Sequence, residues 1–147
     1  MDIGELCNRE VIICSPDEPL IDVARRMRDR HVGCLVVVEG APGARVPIGV
    51  VTDRDLVLYA AATDGHIGDR PVRYVMSADL ASAREHESLH DVLQRMRVRG
   101  VRRMPVVDER GVLQGIVALD DLLELVAGEL DELTRLLTRE RLHEAQP

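Results

Sequence analysis

The chain has 147 residues, enough for one compact domain or two very small ones. Apolar residues make up 46% and charged residues 31%, a globular balance and not a disordered one. With two tyrosines, no Phe and no Trp, almost nothing is present on which single-stranded bases could stack, and a net charge of −7 has the wrong sign for a nucleic-acid binder.

A short lead-in at residues 3–7 precedes a brief apolar segment at 11–13. Leu20, Val23, Ala24 and Met27 then recur at i, i+3, i+4 and i+7, which predicts a helix with one apolar face. The β-branched run 35–38 predicts a buried strand. A turn carrying Gly40, Pro42, Gly43 and Pro47 separates it from a second strand at 49–51, and a helix begins near Asp53. Residues 63–70 have linker composition. The plan then returns: a lead-in at 72–76, an apolar segment at 80–82, a helix bearing Leu89, Val92, Leu93 and Met96, strands at 104–107 and 115–117, and a helix from Leu119. The order is β-α-β-β-α, twice.

The recurrence extends to the residues themselves. At an offset of 69, Leu20, Asp22, Val23, Arg26, Met27, Arg28, Arg30 and Val32 meet Leu89, Asp91, Val92, Arg95, Met96, Arg97, Arg99 and Val101. At an offset of 66, the block 49–56 meets 115–122, and the three-residue difference falls in the Gly- and Pro-rich turn, where insertions collect. The chain is therefore two copies of a unit of about sixty residues: 1–62, a linker at 63–70, 71–127, and a helical tail at 128–147. Each copy is too small to cover its own sheet and helices well, so a pseudo-twofold α/β (α+β) pair with a C-terminal helix is expected.

Cys7, Cys14 and Cys34 are odd in number and lack CxxC spacing, so reduced, partly buried thiols are expected. The five histidines fall at no metal-ligand spacing, and no metal is expected. The most apolar run, 34–38, is far short of the roughly 20 residues that span a bilayer, and residues 1–5 do not form a signal peptide. These readings point to a cytoplasmic protein.

The strongest local feature is the segment 49–55, a strand end running into a helix start. Thr52 and Asp55 have the spacing of a capping box. The same hydroxyl and carboxylate, facing a cleft, would suit phosphate and the paired hydroxyls of a ribose. In the second copy the Thr is Ala118 while Asp121 stays. Together with the doubled unit and the run 101–108 (Val-Arg-Arg-Met-Pro-Val-Val-Asp), this resembles the cystathionine-β-synthase (CBS) domain, whose tandem pairs bind adenosine-containing ligands between the repeats.

The resemblance implies two clefts. One combines Thr52 and Asp55 with Leu80, Ala81, Val101, Arg102, Arg103 and Met104: apolar groups for adenine and two arginines for phosphate. The mirror cleft combines Asp121 with Val11, Ile12, Val32, Gly33, Cys34 and Leu35. Lacking the Thr and both arginines, it is expected to bind an anionic nucleotide weakly. Of the pair following Gly100, strict strand alternation would turn one arginine toward the apolar side, where a cleft explains it better than a core. Arg95 and Arg99 read as a solvated face paired to acids.

The expected function is a stand-alone regulatory sensor for an adenine nucleotide such as AMP, ADP or ATP, signalling to a separate protein and needing no cofactor. The alternatives are a ligand-independent scaffold, or a module for another adenosine ligand such as NAD or S-adenosylmethionine. No nucleophile pair, Walker loop or metal spacing supports an enzyme. Apolar surface on helices 53–62 and 120–127, with a seam of Leu122, Val126, Leu130, Leu133 and Leu137, predicts a homodimer; Gly128 weakens that tail in the middle.

Overall fold

Both amphipathic helices form where the apolar spacing placed them. In a computed structural model describing residues 1–144, the order is α1 (Ile3–Leu6), β1 (Ile13–Cys14), α2 (Leu20–Arg30), β2 (Cys34–Glu39), β3 (Val46–Thr52) and α3 (Asp53–Ala62). A 3₁₀ turn (Val72–Tyr74) opens the second half, followed by β4 (Ala83–Arg84), α4 (Leu89–Arg99), β5 (Arg103–Val107), β6 (Leu113–Ala118) and α5 (Leu119–Glu144). Leu20, Val23 and Met27 bury one face of α2; Val92 and Met96 do the same for α4. Both helices end in a left-handed residue, His31 at φ 54° and its counterpart Gly100 at φ 66°. Glycine adopts that conformation freely, whereas a side chain there costs about 1–2 kcal/mol.

The mixed α/β architecture contains two three-stranded sheets of the same plan, β1-β2-β3 and β4-β5-β6. In each, the first pair is parallel and the second antiparallel, with an irregularity at equivalent places, Val37/Val38 and Val106/Val107. The short first strands lie slightly later in the chain than the apolar segments 11–13 and 80–82 implied. Leu35 to Val38 and Met104 to Val107 are all buried, without alternation, as happens when a sheet is covered on both faces. No buried polar or charged residue appears among the described residues.

A pair of matching ion pairs ties each helix to its sheet. Arg26 meets Glu18 at 2.5 Å and donates to the Ile13 carbonyl at 2.7 Å; Arg95 meets Glu87 at 2.5 Å and donates to the Ser82 carbonyl at 2.8 Å. Arg99 pairs with Asp79 at 2.9 Å. The arginine face of α4 is thus paired to acids, as its spacing indicated.

The lead-ins are exchanged. Ile3 and Cys7, from the start of the chain, belong to the core of the second repeat, with Ala83, Val92, Met96, Met104 and Leu122. Val72 belongs to the core of the first, with Leu20, Val23, Leu35 and Val51. Isolated backbone bridges carry the exchange symmetrically: Asp2 with Ser88 and Asn8 with Ile116 on one side, Pro19 with Pro71 and Val50 with Ser77 on the other. Gly49 and Gly115 make the crossings possible. A Cβ on Gly49 would stand 2.6 Å from the Ser77 carbonyl oxygen, and one on Gly115 would stand 2.5 Å from Cys7 Sγ and 2.8 Å from the Asn8 oxygen.

Helix α5 runs without a break through Gly128. Leu122 is buried in the second core, so it is not part of an outward seam, and every residue from Leu123 to Arg141 is exposed.

Candidate functional site

The antiparallel hairpins bring the beginning of one strand beside the end of the next, at the start of the following helix. In the first repeat Cys34 pairs with Thr52; in the second Arg103 pairs with Ala118. The backbone closes each corner the same way, with Asp53 N–H donating to the Gly33 carbonyl and Leu119 N–H donating to the Arg102 carbonyl, both at 2.9 Å. At Thr52 the anticipated capping box is complete: the Asp55 amide donates to Thr52 Oγ1 at 3.2 Å, and the Thr52 amide donates to Asp55 Oδ2 at 2.8 Å. Ala118 cannot supply the hydroxyl half of that arrangement.

A cavity of about 240 Å³ opens between the repeats. Val11, Ile12, Val32, Gly33 and Cys34 line it from the first repeat, and Ala118, Asp120 and Asp121 line it from the second. The mirror-cleft residues Val11, Ile12, Val32, Cys34 and Asp121 thus meet as the resemblance implied, while Leu35 is buried in the first core. The cavity holds one group not assigned to it, Arg103, and five more that sequence reasoning missed: Asn8, Glu10, His31, Ile116 and Asp120. Asn8 and Ile116 come together through the lead-in exchange. Gly115, a glycine inside a strand pattern, was the available signal of that close approach.

Arg103 reaches the cavity from the second repeat. Cys34 and Arg103 are equivalent positions in the two copies, and the Arg103 charge acts on the Cys34 thiol, as do those of Asp55 and Asp53. Both residues line the same cavity, so Arg103 belongs to the Asp121 side and not to the Thr52 corner alone. Burial pushes the Cys34 thiol up, and the arginine only partly offsets this. Burial also raises Cys7, and it pushes Cys14 up to about 12. All three thiols are free and protonated at neutral pH.

Arg102 lies elsewhere: its Nη2 meets Asp120 Oδ1 at 2.8 Å, with both side chains largely exposed. Neither arginine takes the apolar-facing position predicted by strict alternation, because Arg103 is exposed and the inward series begins at Met104. Met104 is fully buried and Ala81 packs against the second core, so both serve that core; Leu80 is half-buried and Val101 exposed. The cavity walls carry the carboxylates of Glu10, Asp120 and Asp121 against the single guanidinium of Arg103, with His31 alongside. No group of His, Cys, Asp and Glu side chains among the described residues could hold a metal ion.

Doubled β-α-β-β-α units, related by a pseudo-twofold repeat with a cleft between them, define a tandem-repeat module. The CBS domain model matches residues 3–62 and again 72–128, and the chain belongs to the CBS domain family. It is 39% identical over 120 residues to the CBS domain-containing protein YhcV of Bacillus subtilis, covering 82% of this chain and 81% of that one. It is also 32% identical over 125 residues to protein MK0525 of Methanopyrus kandleri, covering 85% of this chain but 62% of that longer relative. Among solved structures, the CBS domain pair of MJ0100 in complex with 5′-methylthioadenosine and S-adenosyl-L-methionine superposes with a TM-score of 0.73 at 20% identity, covering 88% of this chain and 98% of that one. That similarity shows the fold. No helix among the described residues is long and apolar enough to cross a membrane.

Proposed function

We propose that this chain is a regulatory module, without catalysis of its own, that binds an adenosine-containing ligand and signals to a separate protein. The observation that carries the reading is the meeting of Asp121, Val11, Ile12 and Val32 in one cavity beside Arg103. Apolar side chains receive the base, the carboxylate accepts from the ribose hydroxyls, and the guanidinium faces a phosphate. A volume of about 240 Å³ lies below the roughly 300–1,000 Å³ of cavities that enclose a whole drug-sized ligand, so the phosphate end extends outward.

Charge orders the ligands. One guanidinium matches one phosphate, while Glu10 opposes further negative charge and Asp120 is already paired with Arg102. AMP therefore binds ahead of ADP and ATP on this reading. The same carboxylates favour a second reading, an adenosine sulfonium such as S-adenosylmethionine, the kind of ligand found with MJ0100. On this reading the symmetry-related corner at Thr52 and Asp55 is the weaker side.

Thermal denaturation with AMP, ATP, adenosine and S-adenosylmethionine tests the proposal. A ligand at 100 times its dissociation constant adds about 2.7 kcal/mol. Stabilisation by AMP greater than by ATP supports the main reading, and a larger shift with S-adenosylmethionine selects the second. No shift with any of the four leaves a ligand-independent scaffold.

A further inference from the structure

The turn between β2 and β3 takes ten residues, 39–48, where the equivalent turn of the second repeat takes seven, 108–114. The longer turn reaches across the repeat boundary: the Arg45 carbonyl accepts from the Leu113 amide at 2.8 Å. Gly40 allows the tight path, with φ at 108° and a position where a Cβ would stand 2.5 Å from the Ala44 oxygen.

This turn closes one side of another cavity, of about 210 Å³. Val11, Ile13, Val112 and Leu113 give it aliphatic walls, and Arg9, Arg45 and Gln114 its polar side chains. The extended segment 8–13 separates it from the cavity at Asp121, and its side chains alternate between the two. Asn8, Glu10 and Ile12 line the Asp121 cavity, Arg9 and Ile13 line this one, and Val11 borders both.

The polar groups are unequal. Arg9 is committed, donating to Glu85 and to the Gly4 carbonyl at 2.7 Å each, and to the Gln114 carbonyl at 3.3 Å. The Gln114 amide donates to Asp108, which also accepts from the backbone amides of Arg110 and Val112. The carboxylates of Glu85 and Asp108 are therefore engaged, and among the described residues none pairs with exposed Arg45. An uncommitted guanidinium matches a carboxylate through two parallel hydrogen bonds, and the aliphatic walls match a hydrocarbon body. At about 30 Å³ for each water-sized group, the cavity admits roughly seven non-hydrogen atoms. The second repeat has Ala78 where the first has Arg9, and its turn is shorter, so the duplicated plan does not account for this corner.

We propose that this cavity is a second binding site, for a small aliphatic carboxylate, with Arg45 holding the anion. The proposal does not depend on the adenosine reading.

Amide NMR on the full chain tests it, with 3-methylbutanoate, a carboxylate of that size, as the probe. Saturable shifts should centre on Val11, Gly43, Arg45 and Leu113. Arg45→Ala should weaken binding by roughly tenfold or more, because the lost hydrogen bonds join charged groups. That variant keeps the main-chain bond to Leu113, and the dispersion of its spectrum checks that it folds. Arg139→Ala, on the exposed face of α5, should leave binding unchanged. In separate titrations, neutral 3-methylbutan-1-ol and inorganic phosphate, which lacks the apolar body, should both bind far more weakly. The proposal is overturned by an absence of saturable shifts, by shifts that persist in Arg45→Ala, or by phosphate binding as tightly as 3-methylbutanoate. Shifts centred on Val32 and Cys34 would place the carboxylate in the other cavity and overturn it too. Failure of AMP or S-adenosylmethionine to bind bears on that other cavity alone.

Discussion

The two repeats agree in their backbone and differ at the cleft. Bulges, hairpin pairings, the lengths of α2 and α4, partly exposed ion pairs and crossing bridges all recur, at the offsets of 69 and 66. Against this background four pairs of equivalent positions have changed character: Gly33 with Arg102, Cys34 with Arg103, Thr52 with Ala118, and Arg54 with Asp120. All four lie where β2 or β5 begins and α3 or α5 starts. Folding constrains both copies alike, because each completes its core with the other's lead-in. The cleft corners carry no such shared constraint, and there a duplicated site can become one strong site and one weak one.

The largest expected effect tests the exchange itself. Ile3 is fully buried in the core of the repeat to which it does not belong in sequence. Ile3→Ala should destabilise the protein by about 2–5 kcal/mol in urea denaturation, through lost burial and the cavity left behind. Hydrogen exchange should quicken in β6 and α4 before it does in β2. Faster exchange in β2 alone would contradict the exchanged arrangement.

Next in size is the contrast between the two acids. On the ligand reading, Asp121→Ala removes ribose hydrogen bonds to a charged acceptor, worth about 1.5–3 kcal/mol, or roughly 10- to 150-fold in affinity by isothermal titration. Asp55→Ala should reduce affinity for the same ligand less, while costing α3 its capping box. A greater affinity loss from Asp55→Ala would return the main site to the Thr52 corner, where the two-arginine reading placed it.

Both repeats should respond together to acid. Burial raises the carboxyls of Glu18 and Glu87, but the hydrogen bonds from Arg26 and Ser15, and from Arg95 and Arg84, outweigh it and hold both below the usual glutamate value. A carboxylate depressed in the folded state contributes stability that is present above its unfolded pKa, about 4.3, and lost as pH falls through the folded value. Denaturation midpoints should therefore hold above about pH 5 and fall below about pH 4. Replacing both with Gln should flatten that fall; an unchanged pH profile would remove these pairs from its cause.

Much of this was legible in the chain. The 3.6-residue period located α2 and α4, and β-branched runs located β2 and β5, because burial on one helix face or in a sheet leaves a local pattern. The mirror-cleft group followed from the family resemblance, not from periodicity. The exchange of lead-ins was not legible, since Ile3 and Val72 would be buried in either partner's core and periodicity carries no address. Arg103 was assigned to the Thr52 corner by the resemblance, whereas it lines the Asp121 cavity, because a residue at the exposed first position of β5 can turn to either side.

The smallest expected effect separates Arg102 from its neighbour. Arg102 meets Asp120 in an ion pair with side chains 70% and 55% exposed, a setting in which such pairs contribute about 0–1 kcal/mol. Arg102→Ala should therefore shift stability by less than about 1 kcal/mol. Removing it also leaves the Asp120 carboxylate unopposed at the cavity wall, which should weaken AMP slightly and S-adenosylmethionine not at all. Arg103→Ala, by contrast, removes the one guanidinium lining the cavity and should weaken AMP far more than adenosine. Equal losses of AMP affinity from the two substitutions would show that both arginines reach the phosphate, and that the ion pair with Asp120 opens when ligand arrives.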